Sequence, residues 1–207
     1  MLDVSVVRLL SGILAAIWFL GVFAAARRQR ESRRTESRAR ASRPVGVWLH
    51  QVWLLAVFLP LVFFVVGAVI PSWVYGTPLN LAFPGGEILQ LSALPIWLAG
   101  GALFAWSMRT LGRFMVVQIA VFEDHELVTQ GPYARIRHPA YTAVMLMATA
   151  AALLYLNLIL IVNVIVVVAI ASARARGEEA LLGSPEGFGA RYREYMARTG
   201  RFLPRWR

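Results

Sequence analysis

Long apolar runs separated by short polar segments dominate this chain. Val4 to Ala26, Val47 to Ile70 and Leu91 to Met108 carry almost no charge, and about 20 consecutive apolar residues are typical of a transmembrane helix. Trp48 and Trp53 lie toward one end of the second run, where an aromatic belt at the membrane surface would place them. The pattern therefore predicts three membrane spans in the N-terminal half.

The next apolar run, Ala140 to Ala173, has 34 residues and no charged side chain. A single straight helix of that length would extend about 51 Å at 1.5 Å per residue, whereas the hydrocarbon core of a bilayer is about 30 Å thick. Two shorter helices with a turn near Asn157 fit the bilayer better. We therefore predict a helical hairpin over residues 140–173.

Beyond the hairpin, Phe188, Tyr192, Tyr195 and Met196 recur at helical spacing, with arginines on the opposite face. This pattern predicts a C-terminal amphipathic helix, which either lies on the lipid headgroups or closes over polar residues at the membrane face.

The predicted fold is thus all-α: a polytopic membrane protein with about five transmembrane helices, the last two forming a hairpin, plus the amphipathic helix. We divide it into three spans with a basic loop at 27–46, within residues 1–108, and a catalytic half covering residues 109–207.

Composition and charge indicate the orientation. The 207 residues are 58% hydrophobic, and all 21 basic residues are arginine. Eight of these arginines lie between Arg27 and Arg43, and arginine-rich loops stay in the cytoplasm. Five spans then leave only Arg8 on the outer face, with the N-terminus outside and the C-terminus and the polar clusters inside. The same loop argues against the alternative that residues 1–26 are a signal peptide cleaved after Ala24-Ala25-Ala26.

Topology and contact with anionic membrane lipids also explain the net charge of +10, so no nucleic-acid partner is expected. The exclusive use of arginine and the many alanines suggest a GC-rich bacterial genome and hence a bacterial inner membrane.

Two polar clusters flank the uncharged run and meet on one membrane face if that run folds back. The first is GPYARIRHPAY at residues 131–141, and the second contains Arg174, Arg176, Glu178 and Glu179. Polar groups beside a membrane span are costly unless they bind something. Both signs of charge together with aromatic rings suit a small zwitterionic ligand with a planar ring.

Each cluster also has a simpler structural interpretation. His138 precedes Pro139, which opens the next helix, so this histidine would serve as a capping or packing residue. Arg174 and Glu178 would form an ordinary i, i+4 pair. No metal site is predicted, because His125 is the one histidine in a short acidic turn. The chain has no G-x-G-x-x-G, P-loop or G-x-S-x-G motif, which argues against soluble nucleotide folds.

Three ordered blocks between residues 125 and 204 resemble the isoprenylcysteine carboxyl methyltransferase and phospholipid methyltransferase group of integral-membrane enzymes. The blocks are HELVTQGPYARIRHPAY, ARARGEEALL and FGARYREYMARTGRFLP. The resemblance implies S-adenosylmethionine as methyl donor, bound at the cytosolic ends of the last two spans under the C-terminal helix. It also implies a lipophilic or lipid-linked acceptor that reaches the site from the bilayer.

The resemblance also implies site residues by position. Arg174 or Arg176 would hold a carboxylate, and these two form the catalytic set together with Glu179. Arg201 and Pro204 match the end of the closing helix. The residues that would bind the cofactor are Tyr133, Arg137, His138, Pro139, Tyr141, Glu178, Glu179, Tyr192 and Tyr195.

Two features depart from the family pattern. Ala143 stands where the family usually has glycine, two residues after the tyrosine of the RHPxY block. Residues 183–187 lengthen the segment between the paired acids and the next block. The sequence therefore leaves open which of the two glutamates contacts the cofactor.

The acceptor group and the reaction class also stay open. A carboxylate acceptor needs no base, since it is ionised at neutral pH, whereas an amine would need His138 or a glutamate to take its proton. Membrane sterol reductases, which use NADPH, resemble this group but carry asparagine where Ala140 precedes Tyr141 here. A non-enzymatic membrane scaffold is the third alternative.

Overall fold

The structure is a computed structural model that describes residues 1–32, 39–43, 46–114, 119–122 and 126–205. His125 and the two acidic residues before it lie outside these residues, as does part of the arginine-rich segment. The described helices and strands, in chain order, are α1 (Val4–Ser32), β1 (Ala39–Arg43), α2 (Val47–Val69), α3 (Gly86–Leu111), β2 (Ile119–Phe122), α4 (Pro139–Tyr155), α5 (Leu158–Leu182) and α6 (Ala190–Arg198), with 3₁₀ turns at Pro71–Trp73, Gly112–Phe114 and Gly131–Ala134.

The predicted helical membrane fold is confirmed. Within the described residues, α1, α2, α3 and α5 are long and apolar enough to cross a membrane, and α4 is a shorter apolar helix of 17 residues. The hairpin of α4 and α5 turns at Asn157, as predicted. The side-chain oxygen of Asn157 accepts a hydrogen bond from the backbone N–H of Ile159 (3.0 Å), so it caps the start of α5.

The structure differs from the prediction in two places. α5 continues past Ala173 to Leu182, because charged residues on a helix end face water without interrupting its backbone hydrogen bonds. The strands β1 and β2, which pair antiparallel, were not predicted; they have only five and four residues, and β1 (ARASR) lies in the arginine-rich segment that was interpreted as a loop. The segment predicted as a basic loop therefore also contains the end of α1 and all of β1.

Hydrogen bonds join four segments at one end of the bundle. The Arg8 guanidinium donates to the carbonyl oxygen of Ala68 at the end of α2 (2.9 Å). Gln90, near the start of α3, accepts from the backbone N–H of Leu2 (2.7 Å) and donates to the carbonyl oxygen of Leu154 near the end of α4 (2.8 Å). The N-terminus and the hairpin turn thus share one face, and the start of α4 and the end of α5 lie on the other.

The close approach of α3 to α4 explains how the chain accommodates Ala143. The methyl group of Ala143 is fully buried, and Gly100 on α3 lies opposite. A Cβ atom on Gly100 would come within 3.1 Å of the Ala143 carbonyl oxygen and 2.9 Å of the Met147 side chain. The room between the helices is therefore provided by a glycine on α3.

Candidate active site

The site begins where residues before α4 pair with the C-terminal strap, which we define as residues 199–203. The backbone N–H of Arg137 donates to the Gly200 carbonyl (2.8 Å), and that of His138 donates to the Arg201 carbonyl (3.0 Å). The Thr142 hydroxyl donates to the Phe202 carbonyl (2.7 Å). These bonds hold the strap across the start of α4.

Glu179, near the end of α5, lies under the strap and is 8% exposed. Its carboxylate accepts from Nε of Arg137 (2.8 Å) and from Nη2 of Arg201 (2.5 Å). Nε2 of His138 lies 3.3 Å from the same carboxylate. His138 and Glu179 are therefore adjacent, as expected if residues 140–173 form a hairpin.

Glu178 has different partners. Its Oε1 accepts a short hydrogen bond from the Tyr141 hydroxyl, and its Oε2 lies 3.3 Å from Nδ1 of His138. In the part of the chain that is described, its ion-pair partner is thus His138, and the i, i+4 pair with Arg174 is not formed. The Glu178 side chain remains 25% exposed, so a ligand can reach it.

The two candidate arginines of α5 are separated by the helix geometry. Arg174 is 3% exposed; its Nε donates to the Tyr141 hydroxyl (3.1 Å), and its guanidinium lies 5.7 Å from the Trp53 ring centre. Arg176 is exposed, because two residues along a helix correspond to a rotation of about 200°. The structure therefore brings Arg174 into the site and leaves Arg176 outside it.

The amphipathic helix α6 packs against the site. Tyr192 and Tyr195 are buried, and the Tyr195 hydroxyl donates to the carbonyl oxygen of Tyr133 (2.6 Å). Nη1 of Arg137 donates to the carbonyl oxygens of Met196 (3.1 Å) and Thr199, at the C-terminal end of α6. Of the two interpretations of this helix, the structure has the one in which it covers the polar clusters.

The surroundings of these side chains change their acidity. Burial lowers the pKa of His138, but the carboxylates of Glu178 and Glu179 outweigh burial, so this pKa lies above its ordinary value. The hydrogen bond to Glu179 raises the pKa of Arg201. Burial raises the pKa of Tyr195 to about 12, so its hydroxyl remains a proton donor near neutral pH.

Sequence reasoning missed two contributors to the site. Trp53, interpreted as part of an aromatic belt, is instead buried and packs edge-on against Tyr141, with ring centres 5.5 Å apart. Arg201, matched only to the end of a helix, binds Glu179. The burial of Trp53 is indicated by its helical spacing from Ala56 and Pro60, which lie on the same face of α2 and are also buried. The contact of Arg201 is between distant segments, and no local pattern predicts it.

Part of the chain matches a known protein family. Residues 93–184 match the isoprenylcysteine carboxyl methyltransferase (ICMT) family, so the resemblance predicted from the sequence blocks is confirmed. The matched segment contains the RHP block, the hairpin and both glutamates. No curated protein sequence matches the chain.

Among solved structures, the chain is similar to the eukaryotic intramembrane Ras methyltransferase ICMT, determined without a monobody. The TM-score is 0.52 and the sequence identity 21%, and the match covers 78% of this chain and 54% of that one. The chain thus spans about half the length of that enzyme, and the likeness shows a common fold. The family match is to a methyltransferase family and the likeness adds a common membrane fold, and neither comparison supports the reductase or the scaffold alternative.

Proposed function

We propose that this protein transfers a methyl group from S-adenosylmethionine to a lipophilic acceptor that reaches the site from the bilayer. The observation that carries the proposal is the joining of His138, Glu178 and Glu179 at one end of a membrane helix bundle, beneath α6. The family match to residues 93–184 supports the methyl-transfer chemistry.

The side chains at the site fit such a cofactor. S-adenosylmethionine carries an ammonium, a carboxylate and a planar adenine, and when bound it supplies an electrophilic methyl group on a sulfonium. The partly exposed carboxylate of Glu178 suits the ammonium. The partly exposed ring of Tyr141 offers aromatic surface, with Tyr192 buried in α6, and the guanidinium of Arg174 suits a carboxylate of cofactor or acceptor.

The protein's own contribution is alignment and exclusion of water, which are the main requirements of an in-line displacement. α6 and the strap cover the site. Arg174, held by the Tyr141 hydroxyl and the Trp53 ring, has a fixed guanidinium that would hold an acceptor carboxylate. Glu178 and Glu179 hold the pKa of His138 above its ordinary value. A carboxylate acceptor is ionised at neutral pH and needs no base, so we propose a carboxylate acceptor and keep an amine, deprotonated by His138 or a glutamate, as the alternative.

A groove between α2 and α5 supplies a route for the acceptor. Its volume is about 400 Å³. Its α2 side covers residues 52–62, about 15 Å of helix at 1.5 Å per residue. It begins at Val52, the residue before Trp53, and the Trp53 ring contacts Arg174. We propose that the acceptor's apolar tail occupies this groove with its polar group toward Arg174. The lining residues are Val52, Leu54, Leu55, Ala56, Phe58, Leu59, Val62, Asn163 and Val166.

Ligand binding to the purified protein in detergent tests the reaction class. Calorimetry should detect S-adenosylmethionine and not NADPH, and the variant His138→Ala should lose that binding while its helical circular dichroism is retained. Binding of NADPH alone would support the reductase, and binding of neither ligand would support the scaffold.

Product analysis then tests the acceptor. Membranes containing the protein are incubated with a methyl-labelled donor, and labelled products are identified by mass spectrometry. A carboxyl methyl ester releases its label as methanol in mild base, whereas an N-methyl group does not. Base-stable label in the product would contradict the carboxylate assignment and leave the methyltransferase assignment in place.

A further inference from the structure

The two adjacent glutamates of the site have different surroundings, and the difference assigns them different tasks. We propose that Glu178 takes the ammonium of the cofactor, and that Glu179 is a positioning residue that fixes α6 and the strap to the end of α5. This inference rests on the proposed function.

The hydrogen-bonding capacity of Glu179 is filled by the protein itself. Its Oε1 accepts from Nε of Arg137 (2.8 Å) and Nε of Arg201 (3.1 Å), with Nε2 of His138 3.3 Å away. Its Oε2 accepts from Nε (3.1 Å) and Nη2 (2.5 Å) of Arg201. An ionised carboxylate has about four lone-pair sites. A ligand ammonium would therefore have to displace a guanidinium.

Displacing either guanidinium would also open the site. Arg137 binds Glu179 through Nε and, through Nη1, the carbonyl oxygens of Met196 and Thr199 at the end of α6. Arg201 is part of the strap, and its backbone carbonyl accepts from His138. Glu179 is thus the anion at which both C-terminal attachments meet. A third cation beside these two guanidinium groups would in addition be repelled by them.

Glu178 has the free capacity that Glu179 lacks. Its Oε1 accepts from the Tyr141 hydroxyl and its Oε2 faces Nδ1 of His138, which leaves about two of its lone-pair sites available. Its side chain is the more exposed of the pair, and within the described residues the ion-pair partner of its carboxylate is His138. An ammonium group has three donors and no acceptor, so it needs a carboxylate with unoccupied acceptor sites, as Glu178 has.

The substitutions Glu178→Gln and Glu179→Gln form a matched pair, because each removes one negative charge at neighbouring positions. We measure their binding of two probes, S-adenosylhomocysteine and methylthioadenosine, in detergent. The probes share the nucleoside and the thioether, but methylthioadenosine lacks the amino-acid end. A contact to the ammonium affects the first probe alone, whereas a loosened site affects both.

For Glu178→Gln we expect affinity for S-adenosylhomocysteine to fall about tenfold or more, the usual effect of losing a hydrogen bond to a charged group, with methylthioadenosine unchanged within about twofold. For Glu179→Gln we expect similar losses for both probes and faster tryptic cleavage within α6. If Glu179→Gln does not fold, Arg201→Gln loosens the same attachment and should likewise weaken both probes equally.

The opposite pattern would overturn the inference. In that pattern Glu179→Gln or Arg201→Gln loses affinity for S-adenosylhomocysteine alone, and Glu178→Gln binds both probes like the unmodified protein. Equal loss of both probes in Glu178→Gln would overturn it as well. If the unmodified protein bound neither probe, the proposed function itself would fail, so the two failures are distinguishable.

Discussion

At the scale of single residues, His138 joins the two glutamates of the site. It lies 3.3 Å from each carboxylate through opposite ring nitrogens and is stacked on Tyr141, with ring centres 5.6 Å apart. Burial alone would keep the imidazole neutral, but the two carboxylates raise its pKa above the ordinary value. His138 therefore binds a proton more readily in the folded protein than in the unfolded chain.

This direction gives a prediction for stability against pH. When the pKa of a group is higher in the folded state, its protonation stabilises the fold. This stabilisation is complete at a pH below the pKa of the group in the unfolded chain, about 6.5 for histidine. It is lost as the pH rises through the pKa of the group in the folded protein. The unmodified protein should therefore exceed His138→Gln in melting temperature at about pH 5.5, and the difference should shrink toward about pH 9. Thermal unfolding in detergent across this range measures it, and a difference that grows with pH would contradict the assignment.

Packing between α3 and α4 gives a second prediction. Gly100→Ala should destabilise the protein by about 1–3 kcal/mol, the usual cost of overpacking, because the new methyl group would press on the Ala143 carbonyl. The neighbouring change Gly101→Ala is the control. A Cβ atom there meets only the Trp97 ring at 3.9 Å, and alanine favours helix over glycine. Melting temperatures that fall equally for both variants would contradict the close contact.

Among the structural elements, the strap completes the site by its attachment to the start of α4. Removing one hydroxyl, that of Thr142, tests this attachment. Thr142→Val removes the bond to the Phe202 carbonyl (2.7 Å) and preserves the shape of the side chain. The loss of about 1 kcal/mol of stabilisation of the strap should increase the fraction of molecules with a detached strap about fivefold. The rate of tryptic cleavage at Arg201 should increase in proportion. Thr149→Val is the control, because the Thr149 hydroxyl binds only the Met145 carbonyl of its own helix. Equal cleavage rates in the two variants would contradict a holding role for Thr142.

The hairpin could be predicted from the sequence because membrane thickness forbids one helix of 34 residues and Asn157 is the polar residue at its middle. The convergence of His138 and Glu179 followed from that turn. The strap could not be predicted, because its bonds to residues 135–138 use backbone groups that any sequence possesses. The saturation of Glu179 by Arg137 and Arg201 likewise depends on three segments meeting, which no local spacing encodes.

At the scale of the whole molecule, the N-terminal half contributes directly to the site. We predicted residues 1–108 as three spans and residues 109–207 as the catalytic half, but Trp53 of α2 packs against Tyr141 and Arg174. The groove is lined by residues of α2 and α5, so both halves take part in the proposed acceptor route. The division at residue 108 therefore remains a proposal. Both the N-terminal and the C-terminal half contribute side chains to the site.

Filling the groove tests this route. Leu59→Trp places a larger ring among the groove-lining side chains, so the KM for a lipophilic acceptor should rise about tenfold, as expected when binding to substrate and transition state weakens equally. The affinity for S-adenosylhomocysteine should not change. Val65→Trp, on the same helix but outside the groove lining, is the control. A KM that is unchanged in Leu59→Trp, or raised equally in both variants, would exclude this path.

The five membrane spans predicted from the sequence set the last prediction, which concerns orientation. Hydrogen bonds place the N-terminus and the loop after α2 on one face and the site on the other, and the excess of arginine argues that the site faces the cytoplasm. Because the chain has no cysteine, single cysteines at exposed positions report their side without background. In intact cells, a membrane-impermeant maleimide should label Ser72→Cys, whereas Ala197→Cys on α6 should react only after permeabilisation. The reverse pattern would place the site outside the cell, where S-adenosylmethionine made in the cytoplasm could not supply it, so the orientation and the proposed methyl transfer are tested together.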